Sequence, residues 1–141
     1  MTNTEITASE ARPKAAAPPV TAMAVVAPLL AWLVPGAGHL IQRKWIRGFL
    51  LMFSVVSMFV LGLAMSGKVY QPNTGDLLDM LGFVGDLGSG GLYLLSRAFD
   101  WGSNPIAVAV ADYGTKYIVV SGLLNVMALI DAYHIAIGKK Q

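Results

Sequence analysis

Two stretches of the chain, residues 45–66 and 115–137, are apolar over the length that a helix needs to cross a lipid bilayer. Arg47 is the charged residue of the first stretch, and Asp131 lies far inside the second. Because a bilayer-spanning helix needs about 20 predominantly apolar residues, both stretches are predicted as transmembrane helices. Trp45, at the start of the first, is typical of an aromatic side chain at the membrane interface.

The composition points to the same class of protein. Of the 141 residues, 55% are hydrophobic and 13% are charged, whereas soluble domains carry roughly 25% charged residues. The net charge of +2 is small and cysteine is absent, so we expect no nucleic-acid partner, no disulfide and no cysteine-bound metal. No serine stands in a pattern with a base and an orienting acid, so we predict no enzyme activity, no cofactor and no metal site.

The N-terminal part is predicted to hold a tail and an incomplete helix. Residues 1–19 are polar and then rich in alanine and proline, which favours a disordered tail ahead of a single membrane domain over residues 20–141. Residues 20–34 are apolar but contain Pro28 and fall short of spanning length. They are predicted to form a kinked or re-entrant helix, and the glycine-containing turn that ends it consists of Pro35, Gly36 and Gly38.

Residues 67–114 interrupt the apolar pattern with five aspartates against two basic residues. This connector is predicted to lie outside the membrane and to be partly helical, with Thr74 or Asp76 as a helix cap and Asp79 near the positive helix end. A short apolar helix is predicted over residues 92–99. The connector's glycines lack the strand and the Gly-Lys-Ser/Thr of a phosphate loop, so we expect turns and close helix contacts at Gly82, Gly85, Gly88, Gly90 and Gly91.

Basic residues are concentrated at two places that share one predicted side of the membrane. The loop before the first secure helix contains His39, Arg43, Lys44 and Arg47, and Lys139 and Lys140 follow the last helix. Because cytoplasmic loops carry an excess of Lys and Arg, the basic loop and the C-terminus are both predicted to face the cytoplasm. A re-entrant first helix leaves the N-terminus on the cytoplasmic side, whereas a spanning first helix places it outside. A cleaved signal peptide is the rival interpretation of residues 20–34.

The basic loop has a functional and a plainer interpretation. Clustered Lys and Arg beside a membrane helix bind anionic lipid headgroups or an acidic partner. The plainer interpretation is a topology determinant with no ligand. The lipid bilayer itself is the partner that the composition predicts.

Small and polar side chains form a stripe on one face of the last helix. Ser121, Asn125, Ala128 and Ala132 recur at helical spacing. Such stripes let helix backbones approach and let polar side chains bond across the interface. The stripe predicts packing within the chain, and a homo- or hetero-oligomer seam is the alternative.

Asp131 is the acidic residue inside the last helix, and three explanations are open for it. His134 is three residues on and hence on the same face, and His39 approaches from the turn on the same predicted side. The three residues suggest a proton relay or a metal site. The structural explanation is an interfacial anchor in which Asp131 pairs with Arg43, Lys44 or Lys139.

The order and spacing of several short motifs resemble a family of small bacterial membrane proteins of unknown function. These motifs are Pro35-Gly-Ala-Gly-His39, Gly48 at the opening of a transmembrane helix, Tyr113-Gly114, Gly122-Leu-Leu-Asn125 and Asp131-Ala-Tyr133. The resemblance extends over residues 22–140 and implies a multi-pass protein of the bacterial cytoplasmic membrane, with no activity attached. More distantly, the front half resembles the two-transmembrane-helix domain, from which it departs at Leu40-Ile41 and in lacking an Asp-Arg-Phe signature.

The sequence as a whole predicts an all-α integral membrane protein with two secure transmembrane helices, one kinked or re-entrant N-terminal helix and a partly helical extramembrane connector. The leading functional hypothesis is a non-catalytic scaffold or accessory subunit that acts through helix packing and the basic cytoplasmic loop. The alternative is a small oligomeric transporter or proton-coupled component that uses Asn125 and Asp131.

Overall fold

The computed structural model describes residues 22–72, 74–102 and 109–139, which are helical wherever they are regular. The six helices are α1 (Ala22–Leu33), α2 (Ala37–Ile41), α3 (Trp45–Ala64), α4 (Leu77–Leu87), α5 (Gly91–Ala98) and α6 (Ala111–Ala136). Within these ranges the predicted all-α fold is confirmed. The predicted tail, residues 1–19, lies outside the described residues.

The helices α3 and α6 form the long central pair, and both are long and apolar enough to cross a membrane. They run antiparallel, because Gly62 near the end of α3 lies against Gly114 near the start of α6. A Cβ atom at Gly62 would stand 2.6 Å from the Gly114 oxygen. Glycine at both positions therefore allows the two backbones to touch.

The helices α1 and α2 form a hairpin half as long as α6, here called the inner hairpin. The start of α1 lies beside Tyr133 in the last turns of α6. The end of α1 reaches Asn125, near the midpoint of α6, where the Asn125 amide donates to a carbonyl of α1. The chain then doubles back, and Gly38 of α2 lies against Ala132. The first apolar segment thus forms a short helix after which the chain turns back before α3.

The turn of the inner hairpin depends on a glycine in the left-handed region. Gly36, with φ of 81°, precedes α2. A side chain there would overlap the main-chain oxygen of Gly48 in α3. Glycine is therefore required at this position for two reasons. It adopts the left-handed conformation readily, and it leaves room for the close approach to α3.

The helices α4 and α5 form a second half-length hairpin, here called the outer hairpin. Gly85 lies against Val119, and Gly88 lies against Gly122, so α4 runs alongside the first half of α6 and ends near its midpoint. The helix α5 returns, and the Val69 N–H then bonds the Gly102 oxygen near the end of α3. Phe59, Val69, Tyr93 and Ile118 form the apolar cluster enclosed by this half of the molecule.

The predicted helix bounds differ from the observed ones in instructive ways. The ranges predicted as 20–34, 45–66 and 115–137 are observed as Ala22–Leu33, Trp45–Ala64 and Ala111–Ala136. The connector, predicted to lie outside the membrane with close helix contacts at its glycines, packs α4 along α6. The reason is that its glycines remove the side chains that would separate the two helices. Asp76 caps α4 as predicted, since its Oδ1 accepts the Leu78 N–H at 2.9 Å.

Candidate functional site

The two hairpins meet at Asn125, a fully buried amide near the midpoint of α6. Its Nδ2 group donates to the Trp32 oxygen at 3.2 Å and to the Gly88 oxygen at 3.0 Å. Trp32 belongs to the end of α1, and Gly88 follows the end of α4. One side chain therefore ties both hairpins to the last helix.

The hydrogen-bond pattern follows from the way a helix ends. The last four carbonyls of a helix lack partners within it, and a buried carbonyl without a partner costs about 1–3 kcal/mol. Two helices end at this place, so several carbonyls need donors here. Asn125 supplies two N–H groups, and the Trp32 indole supplies a third to the Leu87 oxygen at 3.0 Å.

A second polar cluster holds the inner hairpin to the C-terminal half of α6. His39 of α2 is fully buried, and its Nε2 lies 3.0 Å from Asp131 Oδ2. The adjoining Gln42 donates through Nε2 to the Gly38 oxygen at 3.0 Å and to the Ala132 oxygen at 2.9 Å. These contacts cross from the basic loop to the last turns of α6.

Asp86 is a buried acid in the outer hairpin. It has no exposed surface, and its Oδ2 accepts the Tyr70 N–H at 2.7 Å. The carboxyl group is thus a buried acceptor that ties the segment after α3 to α4.

The basic loop forms a concave surface at the start of α3. Its lining consists of Arg43, Lys44, Trp45, Ile46 and Arg47, around a volume of about 370 Å³. Lys44 precedes the first turn of α3, which contains no acidic residue. Cationic groups and the positive end of a helix therefore converge at one place.

Comparison with protein families gives one match. Residues 26–141 match the Family of unknown function (DUF6677). The chain belongs to this family. The matched range begins inside α1 and covers the residues of both polar clusters in this chain. The predicted membership in a family of unknown function is confirmed. No curated protein and no solved structure matches the chain.

The structure buries the whole predicted stripe of this family member inside the chain. Ser121, Asn125, Ala128 and Ala132 all face the interior. Ser121 donates to the Ile118 oxygen of its own helix, whereas Ala132 lies beside Gly38 of the inner hairpin. The stripe thus contacts helices of the same chain.

Asp131 forms an ion pair with His39, one of the residues that the sequence predicts near it. The short helix α2 makes this contact possible, because it turns the His39 ring inward. The pairing of Asp131 with Arg43, Lys44 or Lys139 stays a prediction. In the described part of the chain, no group of three His, Cys, Asp or Glu side chains is placed to hold a metal ion.

Three important residues had no role in the sequence-based prediction. Trp32 and Gln42 donate to distant carbonyls, and Asp86 is buried in a region expected to lie outside the membrane. A buried role for Asp86 was signalled only by its glycine neighbours, Gly85 and Gly88, because glycines at close spacing indicate a packed helix face. Sequence spacing alone carries no signal for the Trp32 and Gln42 hydrogen bonds, which reach residues 55 and 90 positions away.

Proposed function

We propose that this protein is a multi-pass component of the bacterial cytoplasmic membrane that acts as a non-catalytic scaffold or accessory subunit. Its membrane placement is supported by the exposure of α3 and α6. Of the most apolar 18-residue window in each helix, 22% is buried in α3 and 33% in α6. A core helix of a soluble protein buries most of its surface, whereas Phe53 is 74% exposed here. Lipid is the solvent that suits such a surface.

The hairpins fit a membrane in a specific way. The helices α1 and α4 have 12 and 11 residues, about half of the length that crosses hydrocarbon. Chain that ends inside a membrane is tolerated only where protein satisfies its backbone groups. The Asn125 and Trp32 side chains meet this requirement for the carbonyls at the ends of α1 and α4, which are the tips of the two hairpins. We therefore place the tips near the middle of the membrane.

The scaffold role rests on one observation, the use of Asn125 to hold both hairpins. Both of its donor hydrogens bond main-chain carbonyls, which is a structural use of a polar side chain. A transport pathway would instead need polar groups that line a passage. The surfaces left for interaction are then the apolar outer faces of the long helices and the basic loop.

The orientation follows from the basic residues. Because the inner hairpin begins and ends beside the last turns of α6, the start of α1, the basic loop and Lys139 share one side. By the distribution of Lys and Arg, this side is the cytoplasm. The outer hairpin then enters from the opposite side.

Single-cysteine labelling tests the placement, since the chain contains no native cysteine. Thr74→Cys, at the start of the outer hairpin, should react with a membrane-impermeant maleimide in intact cells. Lys139→Cys should react only after the membrane is opened. The reverse pattern would contradict the orientation, and release of the protein by alkaline carbonate would contradict membrane insertion.

Replacing Asn125 tests the scaffold role. Asn125→Leu leaves the Trp32 and Gly88 carbonyls without their donors, so we expect a loss of about 2–4 kcal/mol, measured by thermal unfolding in detergent. Met127→Leu is the matched control, because Met127 lies on the same helix and is 69% exposed. If both variants unfolded at the same temperature, Asn125 would not hold the hairpins.

The second candidate function is a proton-coupled component, and the contact between the buried His39 and the partly exposed Asp131 is the observation that favours it. Within the described residues, His39 Nδ1 has no hydrogen-bond partner, so the ring has one nitrogen to spare. A scaffold predicts that proteoliposomes with the wild type dissipate a pH gradient no faster than empty vesicles. A faster rate that Asp131→Asn abolishes, with unfolding temperature unchanged, would replace the scaffold by the proton-coupled function.

A further inference from the structure

The basic loop has a shape that is held in place from within the molecule. Arg43 takes the left-handed conformation with φ of 60°, and the Lys44 N–H bonds the His39 oxygen at 2.9 Å. The neighbouring Gln42 is anchored to the Ala132 oxygen of α6. The concave surface lined by residues 43–47 is therefore fixed to two helices and does not depend on a ligand for its form.

The charge at this surface is strongly one-sided. Arg43, Lys44 and Arg47 all contribute to the lining, and no acidic residue occurs between Glu10 and Asp76 in the sequence. The first turn of α3 adds N–H groups without a side-chain cap and without an acid. An anion fits this surface because guanidinium groups, an ammonium group and free N–H groups all donate hydrogen bonds to oxygen.

An apolar surface continues directly from the basic one. Trp45 and Ile46 line the concavity and are 60% and 79% exposed, and one turn further along α3 follows Phe49, 54% exposed. Phe53 extends the same face by another turn. A ligand that covers both surfaces needs an anionic head and a hydrocarbon chain beside it.

We propose that residues 43–47 bind the anionic headgroup of a phospholipid whose acyl chains lie along Ile46, Phe49 and Phe53 of α3. The inference rests on the proposed membrane placement and names the ligand of the basic loop. The head and the chains are recognised by different parts of the surface. A free phosphate uses only the first part, whereas a zwitterionic lipid has an ammonium group that the basic residues repel.

Native mass spectrometry of the purified full chain in detergent tests this proposal. Added phosphatidylglycerol should bind with at least severalfold preference over phosphatidylcholine. Each basic residue beside an anionic lipid contributes about a fivefold change in affinity, so the double variant Arg43→Gln, Arg47→Gln should bind phosphatidylglycerol roughly thirtyfold more weakly.

The matched control is the double variant Arg97→Gln, Lys116→Gln, which removes two exposed cationic groups at the other end of the molecule. It should bind phosphatidylglycerol as the wild type does. Equal binding of the two lipids, or an equal loss in both double variants, would overturn the proposal. Displacement of the lipid by inorganic phosphate at equal concentration would also overturn it, by showing a site for phosphate alone.

The outcome is separable from the membrane placement itself. If alkaline carbonate releases the protein from its native membranes, the proposed function fails together with this inference. If the protein stays in the membrane but shows no preference for phosphatidylglycerol, only the headgroup site fails. Unfolding temperatures of both double variants equal to the wild-type value establish that lost binding reports on charge and not on folding.

Discussion

The structure depends on the bonds from one amide group to two carbonyl oxygens. Asn125 lies near the midpoint of the longest helix and bonds to the ends of α1 and α4, which are far apart in the sequence. Without these bonds, two helix ends would be buried with unpaired carbonyls. The two hairpins, the tight turn at Gly36 and the close approach of Gly88 to Gly122 all serve to bring those ends to this amide.

The direction of the two short helices explains why donors are required at this point. Both α1 and α4 present their C-terminal ends to each other, and these ends carry partial negative charge. Two such ends repel unless hydrogen-bond donors lie between them. The Asn125 amide and the Trp32 indole fill this role. The polar interior is thus a consequence of the topology, and its chemistry is that of helix capping carried out by distant side chains.

The sequence predicted the parts of this structure that depend on local pattern. The long helices followed from uninterrupted apolar runs, and the spacing of Ser121, Asn125 and Ala132 placed them on one face of α6. The extent to which the connector packs did not follow. Its glycines predicted close helix contacts, but only the contact of Gly85 with Val119 shows that α4 lies along α6.

The sequence could not decide among the possible partners of Asp131, for a physical reason. Asp131 has several basic residues near it in the predicted topology, and His39, Arg43 and Lys44 are close enough in sequence to be alternatives. The choice depends on whether α2 exists, since one short helix decides which side chain points inward. A helix of five residues is too short for its apolar spacing to be recognised in the sequence.

The shared amide also has a consequence for the order of folding. The helix α6 follows both hairpins in the chain, yet it carries the donors for carbonyls 93 and 37 residues earlier. Until α6 packs against the hairpins, the Trp32 and Gly88 oxygens lack the donor that they have in the folded structure. The hairpins therefore reach their final packing only after α6 has been made, so the order of folding runs against the order of synthesis.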